Sequence, residues 1–325
     1  MKRDRVIRTT VVRGFLWFAV SASLPAFAQL EPYPARPVRL IVTMAAGGTA
    51  DVIARVIADQ LTERFGQQVV VDNRAGAGGV VGSAIAAKAR PDGYTMAFIG
   101  SSYTISPALY DLPFEPTKSL SPVARLGTAS YVLTVHAGLP VASVKELVAF
   151  AKQKPGSLSF GAVGTGSFTH LASELFRITA GIDILTVQYK SGVVADLLGG
   201  HIHAYIGGMS QMMPHIRAGK VKALGTTGSV RSSALPDVPT ISEAGVPRYE
   251  VSNWWGLLVP AGAPATIVEK VNKEVRVALD SPKTKKLFIN EGGDVSFLAP
   301  REFGRFISTD IEKWSRVVRQ ANIQN

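Results

Sequence analysis

Twice in this chain a short apolar strand runs into a turn of glycines and hydroxyls and then into a helix. The first copy is RLIVTMAAGGTADVIAR, residues 39–55. Leu40, Ile41 and Val42 are consecutive and β-favouring, the mark of a strand buried on both faces. Ala45, Ala46, Gly47 and Gly48 carry no bulk, so a ligand can reach the backbone there. Thr49 reads as an N-cap, Ala50 follows it, and Asp51 falls in the first turn of a helix over 51–65. The second copy has its strand at 158–163, its loop at Gly164, Thr165, Gly166, Ser167, Phe168, Thr169 and His170, and its helix at 171–180. Each unit admits two readings. One is a plain connection. The other is an anion cradle, in which free N–H groups and the positive end of a helix dipole face a ligand.

Between these copies the pattern continues. A strand at 68–72 ends in Asn73, Arg74 and the glycine-rich turn 75–79, followed by an alanine-rich helix over 80–89. A strand at 94–99 ends in Gly100, Ser101, Ser102, Tyr103 and Thr104, read as a hydroxyl loop. Three successive strands thus end in small or hydroxyl residues, and in an open α/β sheet such ends share the edge where ligands bind. Prolines 107, 113, 116 and 122 mark an irregular passage before a strand at 131–135. Ser143 and Glu146 form a capping box. Strands follow at 184–189, ending in Tyr189, at 204–206, running into Gly207 and Gly208, and at 221–226. The helix between the last two carries Met212, Met213 and His215. A brief helix is expected at 241–244, an extended crossing segment at 251–259 and an amphipathic helix at 264–279. Phe303, Phe306, Ile307, Ile311, Trp314, Val317 and Val318 recur on one face of a last helix opened by Pro300, a core stripe. The alternation specifies an α/β fold.

The 325 residues suffice for about two domains. Lys2, Arg3, Arg5, Arg8 and Arg13 precede a short apolar run, and Ala26-Phe27-Ala28 fits a small-x-small cleavage site. This is a signal peptide, residues 1–28, cut after Ala28, with an apolar part too short for a comfortable membrane span. Its five cations less Asp4 account for four of the +11 formal charges, leaving +7 on the mature chain. Those charges are dispersed. Lys283, Lys285 and Lys286 form the one dense group, read as the solvated end of a helix. No basic stripe interleaved with aromatics points to nucleic acid. With no cysteine in the chain, thiolate catalysis and cysteine metal sites are excluded.

The residues bear on three chemical alternatives. A dinucleotide fingerprint starting at Gly76 and Gly78 requires glycine at 81, which is Val81. A hydrolase using Ser167, His170 and Asp51 lacks the G-x-S-x-G elbow around Ser167. A partial metal site of Asp196, His201 and His203 competes with a simple solvated turn, and calcium-style carboxylate clusters are missing.

The stretches VTMAAGGTADVIAR, VVVDNRAGAGG, PDGYTMAF, SVKELVAFAK, LASELF, DLLGG, PHIRAGKVKALGTT, LPDVPTISEAG and WWGLLVPAG, in this order across essentially the whole mature chain, resemble the Bug family. Its members are extracytoplasmic solute receptors of tripartite tricarboxylate transporters. The resemblance implies two α/β domains of the periplasmic-binding-protein type (type II-like), joined by two crossing strands that act as a hinge. Domain 1 would take 29–130 and 253–325, and domain 2 would take 131–252. It implies a periplasmic monomer that binds one small carboxylate in the cleft, without enzymatic activity, cofactor, metal or nucleic acid. Its partners would be the large and small membrane subunits of a transporter, although a stand-alone sensory protein uses the same fold. The matching contact regions are Ala46 to Asp51, Ser101 to Thr104 and Thr165 to His170.

Two departures bear on the ligand. Met44-Ala45-Ala46 replaces an aromatic and a proline, and Gly207-Gly208 replaces an Asp/Asn pair that would meet an amino group. The ligand expected is therefore a carboxylate without an α-amino group. Volume vacated at both positions, lined by Met44 and Met209, suits an aromatic body. An aliphatic dicarboxylate or tricarboxylate is the alternative.

Overall fold

The computed structural model describes residues 33–323. The signal peptide and its cleavage site lie outside the described residues. The first elements are β1 (Val38–Val42), α1 (Thr49–Phe65), β2 (Val69–Asn73), α2 (Val80–Ala87), β3 (Thr95–Gly100) and the short α3 (Ser102–Ile105). Next come β4 (Leu120–His136), α4 (Val144–Gln153), β5 (Ser159–Val163), α5 (Phe168–Ala180), β6 (Leu185–Tyr189) and α6 (Val193–Leu198). The chain continues through β7 (Ala204–Gly208), α7 (Met209–Arg217), β8 (Val221–Thr226), β9 (Ser252–Pro260), α8 (Ala265–Asp280), α9 (Pro282–Asn290), β10 (Gly293–Leu298) and α10 (Pro300–Gln320).

β4 belongs to two sheets. As far as Ser130 it pairs antiparallel with β9 and β10, in the order β2-β1-β3-β9-β4. From Tyr131 it pairs with β7 and β8, and the second sheet continues through β5 to β6. The register passes from Ser130↔Ser252 to Tyr131↔Gly208 within one peptide unit. The chain returns at Val251, whose N–H donates to Thr227 O at 2.8 Å, one residue before β9. These are the two crossing strands.

Apolar faces fix the layers. β1 is buried on both sides because α1 and α8 cover Leu40 and Val42, while Ile41 faces α2 and the first half of α10. Burying each such side chain contributes about 1.5–3 kcal/mol. On the second sheet, Phe160 of β5 stacks on Phe176 of α5 in the core that α4 also covers, and Met209 and Met212 of α7 join Val193 and Leu197 of α6 in the core of the other face. α10 reaches both sheets. Phe303 and Ile307 join the core of the first, and Trp314, Val317 and Val318 that of the second.

Several local expectations are corrected. The strand expected at 131–135 is the end of a 17-residue strand, and Pro122 is accommodated by a register shift between Pro122 and Ala124. Residues 102–105 form a helical turn rather than an open loop. Thr49 is the first helical residue; Gly48 holds the N-cap position with no side-chain cap. Residues 241–245 form a turn, not a helix. Lys283, Lys285 and Lys286 open α9 instead of ending a helix, with Ser281 as N-cap and Lys285 Nζ 3.3 Å from Asp280 Oδ1. β10 has no counterpart in the sequence reading.

Candidate ligand-binding site

Both cradles form, and each is clasped by a side chain four residues on. In the first loop Gly47 has φ +83°, where a Cβ is disfavoured. Its N–H donates to Asp51 Oδ2 at 2.9 Å. Arg55 Nε donates to the same oxygen at 3.0 Å, and Asn73 Nδ2 to Oδ1 at 2.9 Å. Burial acts to raise the Asp51 pKa, but the bonds from Arg55, Gly47 and Asn73 outweigh it and hold the carboxyl below its ordinary range. Asp51 is 4% exposed and is spent on loop geometry. The Thr49 hydroxyl is also engaged, donating to Glu291 Oε2 at 2.6 Å. The N–H groups of Gly48, Thr49 and Ala50 have no acceptor among the described residues. They stand at the positive end of a 17-residue helix, beside exposed Ala45, Ala46, Gly47 and Gly48.

In the second loop Gly166, at φ +70°, donates its N–H to His170 Nδ1 at 3.0 Å. Ser167 is the N-cap of α5, its Oγ accepting from His170 N at 3.2 Å. Thr169 Oγ1 accepts from Val163 N at 3.0 Å and lies 3.1 Å from Ser167 Oγ. Burial pushes the His170 pKa down, opposed by the Glu174 carboxylate.

A cavity of about 160 Å³ lies where α3 and the turn after it face this loop. It brings together Ser101, Ser102, Thr165, Gly166 and Ser167 from the expected site. It also takes in Phe168, which falls within the expected stretch Thr165 to His170, and adds Gly78, Ile105, Ser106, Leu109 and Tyr110, which sequence reasoning missed. Gly78 belongs to a glycine turn already visible in the sequence. Ile105 to Tyr110 adjoin or fall within the irregular proline passage, where no periodicity marks them. Ser101 Oγ donates to Asn253 Oδ1 at 2.5 Å, tying α3 to the start of β9.

The other expected residues are placed elsewhere. Ala46, Gly47, Gly48, Thr49 and Ala50 form the separate α1 cradle. Tyr103 turns away and donates to Pro116 O at 2.7 Å. Thr169 and His170 are buried beneath the loop they support. Tyr189 donates to Asp196 Oδ2 at 2.7 Å, and burial together with that carboxylate pushes its pKa up to about 12. Gly207 leaves no space: a Cβ there would lie 2.4 Å from Tyr205 Cε1 and 2.8 Å from Met212 Cγ. Met209, expected to line the cleft, is the first residue of α7 and is 2% exposed in the core that α7 shares with α6. Gly208 does face open space, with nothing within 4 Å of an added Cβ.

Ser167, His170 and Asp51 are not assembled as a relay, since His170 Nδ1 serves Gly166 and Asp51 serves Gly47. Nor do Asp196 and His203 converge, because His203 Nδ1 accepts from Ser159 N at 3.1 Å while Asp196 holds Tyr189.

Two sheets joined by crossing strands, with glycine loops and helix N-termini at their facing edges, define an α/β solute-binding receptor of the periplasmic type. The chain belongs to the tripartite tricarboxylate transporter family receptors, whose family model matches residues 53–323. It is 36% identical over 308 residues to protein BugT of Bordetella pertussis, covering 93% of this chain and 94% of that protein. Among solved structures it is similar to R. palustris Rpa4515 with adipate, at 33% identity and TM-score 0.75, covering 90% of this chain and 99% of that one. MatC from Rhodopseudomonas palustris with bound malate is similar at 29% identity and TM-score 0.70, covering 88% of this chain and 100% of that one.

Proposed function

We propose that this protein is exported by a leader cleaved after Ala28 and captures a short aliphatic dicarboxylate for the membrane subunits of a tripartite tricarboxylate transporter. The ligand lies between a first domain, residues 29–130 and 253–325, and a second, residues 131–252. The observation that carries this reading is the set of unused N–H donors at Gly48, Thr49 and Ala50, on the same sheet edge as Ser102, which lines the small cavity together with Ser167 of the second loop. Two oxyanion-accepting ends suit a molecule with a carboxylate at each end. Each helix terminus supplies roughly 0.3–2 kcal/mol, and micromolar affinity requires about 8 kcal/mol, so both ends must engage and the domains close on the ligand.

The aliphatic reading is preferred to an aromatic one for two reasons. Gly207, one source of the expected extra volume, is filled by Tyr205 and Met212. The neighbours in the preceding section hold adipate and malate, which are aliphatic and lack an amino group. Thermal unfolding with adipate, malate, glutamate and terephthalate tests the assignment. Adipate or malate at 100 times Kd should stabilise by about 2.7 kcal/mol. Stabilisation by glutamate alone refutes the amino-free reading, and stabilisation by terephthalate alone restores the aromatic one.

A further inference from the structure

A second and larger cavity, of about 670 Å³, lies beside the strand switch and shares no lining residue with the first. Its size is that of a small-molecule site. Arg125 and Ser130 of β4, Ser252 and Trp254 of β9, the loop 228–233, β10 and α10 form its walls.

The charges in it are unequally placed. Arg125 is half-buried, its Nε and Nη2 donating to Ser296 O at 3.0 Å and Ser296 Oγ at 2.6 Å. The Phe306 ring lies 4.9 Å from its guanidinium carbon. No carboxylate of the described residues lies within ion-pairing distance, 4.0 Å, of Arg125. Lys313 Nζ donates to Glu250 O at 2.8 Å. The one buried acid, Asp310, is already engaged: Oδ2 accepts from Thr104 Oγ1 at 2.6 Å and Trp254 Nε1 at 3.1 Å, and Oδ1 is 3.9 Å from Lys313. Glu250 and Asp294 are exposed, and Asp294 accepts from Ser233 at 2.9 Å. At the rim Arg231 is paired with Glu243, Nε to Oε2 at 3.0 Å, which leaves Glu250 and Asp294 as the rim charges without an ion pair among the described residues. The inner wall presents a guanidinium with no carboxylate in ion-pairing contact, acted on from farther off by Glu250 and Asp310. Ser296 takes the Nε and Nη2 donors, and the Nη1 group, which has no hydrogen-bond partner among the described residues, is left to meet one carboxylate. The acidic rim opposes a second negative charge. The hydroxyls of Ser130, Ser229 and Ser252 line the same space and have no hydrogen-bond partner among the described residues.

We propose that this cavity is a second binding site, for a small monocarboxylate with a hydroxylated body, whose carboxylate meets Arg125 and whose hydroxyls meet Ser130, Ser229 and Ser252. The site stands apart from the dicarboxylate cleft and does not depend on that reading.

Calorimetric titration of the chain with gluconate tests it, with sorbitol as the same kind of body without a carboxylate, each run with and without excess adipate. The expected result is saturable gluconate binding that adipate leaves in place and that sorbitol does not reproduce. Arg125→Gln should weaken it tenfold or more. Ser229→Trp, at an exposed rim position, should block the cavity without removing an internal contact, and it serves if Arg125→Gln unfolds on a melting curve. Absence of saturable gluconate binding overturns the proposal. So does displacement by adipate, equal binding of sorbitol, or binding unchanged in the folded variants. Failure of the dicarboxylate reading shows separately, as wild-type protein that gives no heat with adipate.

Discussion

The N–H of Gly166 donates to Nδ1 of His170 at 3.0 Å, so the shape of the second cradle depends on a neutral imidazole. Protonation turns that acceptor into a donor and sets two N–H groups against each other. Burial favours the neutral form and lowers the pKa from its usual 6.5, with Glu174 opposing. A depressed histidine pKa contributes stability that is present above the unfolded value and lost as pH falls through the folded one. Melting temperature should therefore drop as pH falls below about 6.5, by an amount corresponding to about 0.5–1.5 kcal/mol for the lost bond. His170→Phe should remove this part of the pH dependence and be less stable at pH 8. An identical pH profile in the variant would refute the assignment.

Asp51 plays the matching part in the first cradle, but as an acceptor of three side-chain and backbone bonds, from Gly47, Arg55 and Asn73. Asp51→Ala leaves the Gly47 N–H without its partner and Asn73 Nδ2 with Met44 O alone, at 3.2 Å, and should cost about 1–3 kcal/mol. Its pKa is held low, so its contribution is present above the ordinary carboxylate range and is lost as pH falls through the lower folded value. Urea unfolding at pH 7 and pH 3 checks this: the difference between wild type and Asp51→Ala should shrink at pH 3. Adipate affinity should fall as well, because the loop and not the carboxylate itself holds the donors in place.

Much of this arrangement was legible in the sequence, for reasons that differ by element. β1 and the glycine loops show in residues 39–55 because burial on both faces demands consecutive apolar residues and a tight turn demands glycine. β4 was hidden because Pro122 reads as a strand breaker, and only pairing with β9 reveals the bulge that admits it. The clasps were not legible: Asp51 and His170 read as ligand-facing, since no local rule tells whether a polar side chain at a helix start turns toward solvent or back onto its own loop. The roles of Gly207 and Gly208 were indistinguishable until Tyr205, on the same strand face as Gly207, was seen to cover it.

Gly166 also marks the contact between the two walls of the smaller cavity. A Cβ there would lie 2.5 Å from Leu109 Cδ1, and the backbone sits at φ +70°. The left-handed conformation alone costs a non-glycine residue about 1–2 kcal/mol, and the clash adds to it. Gly166→Ala should lower stability by at least that amount. Leu109→Ala should recover the steric part and leave the backbone part. A double-mutant cycle by chemical denaturation measures the coupling, and strict additivity of the two changes would show that the walls do not touch in solution.

The last prediction concerns ligand choice at Gly208. This residue is the N-cap of α7, with φ −60° and ψ 141°, a conformation open to any residue. An added Cβ meets nothing within 4 Å. Aspartate is among the favoured N-cap residues, and replacing glycine by it changes cap energy by only a few tenths of a kcal/mol. Gly208→Asp should therefore fold with nearly unchanged melting temperature while placing a carboxylate at the edge of the second sheet, where an α-ammonium could be paired. An ammonium buried without such a partner costs several kcal/mol, so the substitution should raise glutamate affinity tenfold or more. It should also weaken adipate through repulsion. Gly207→Asp is the internal control. Its side chain would have to displace Tyr205 and Met212 from 2.4 Å and 2.8 Å contacts, and it should destabilise without gaining glutamate. Calorimetric titration of both variants with glutamate and adipate decides the matter. If Gly208→Asp binds the two ligands as the wild type does, Gly208 does not face the ligand, and the missing amino-group partner has to be sought at another position in the cleft.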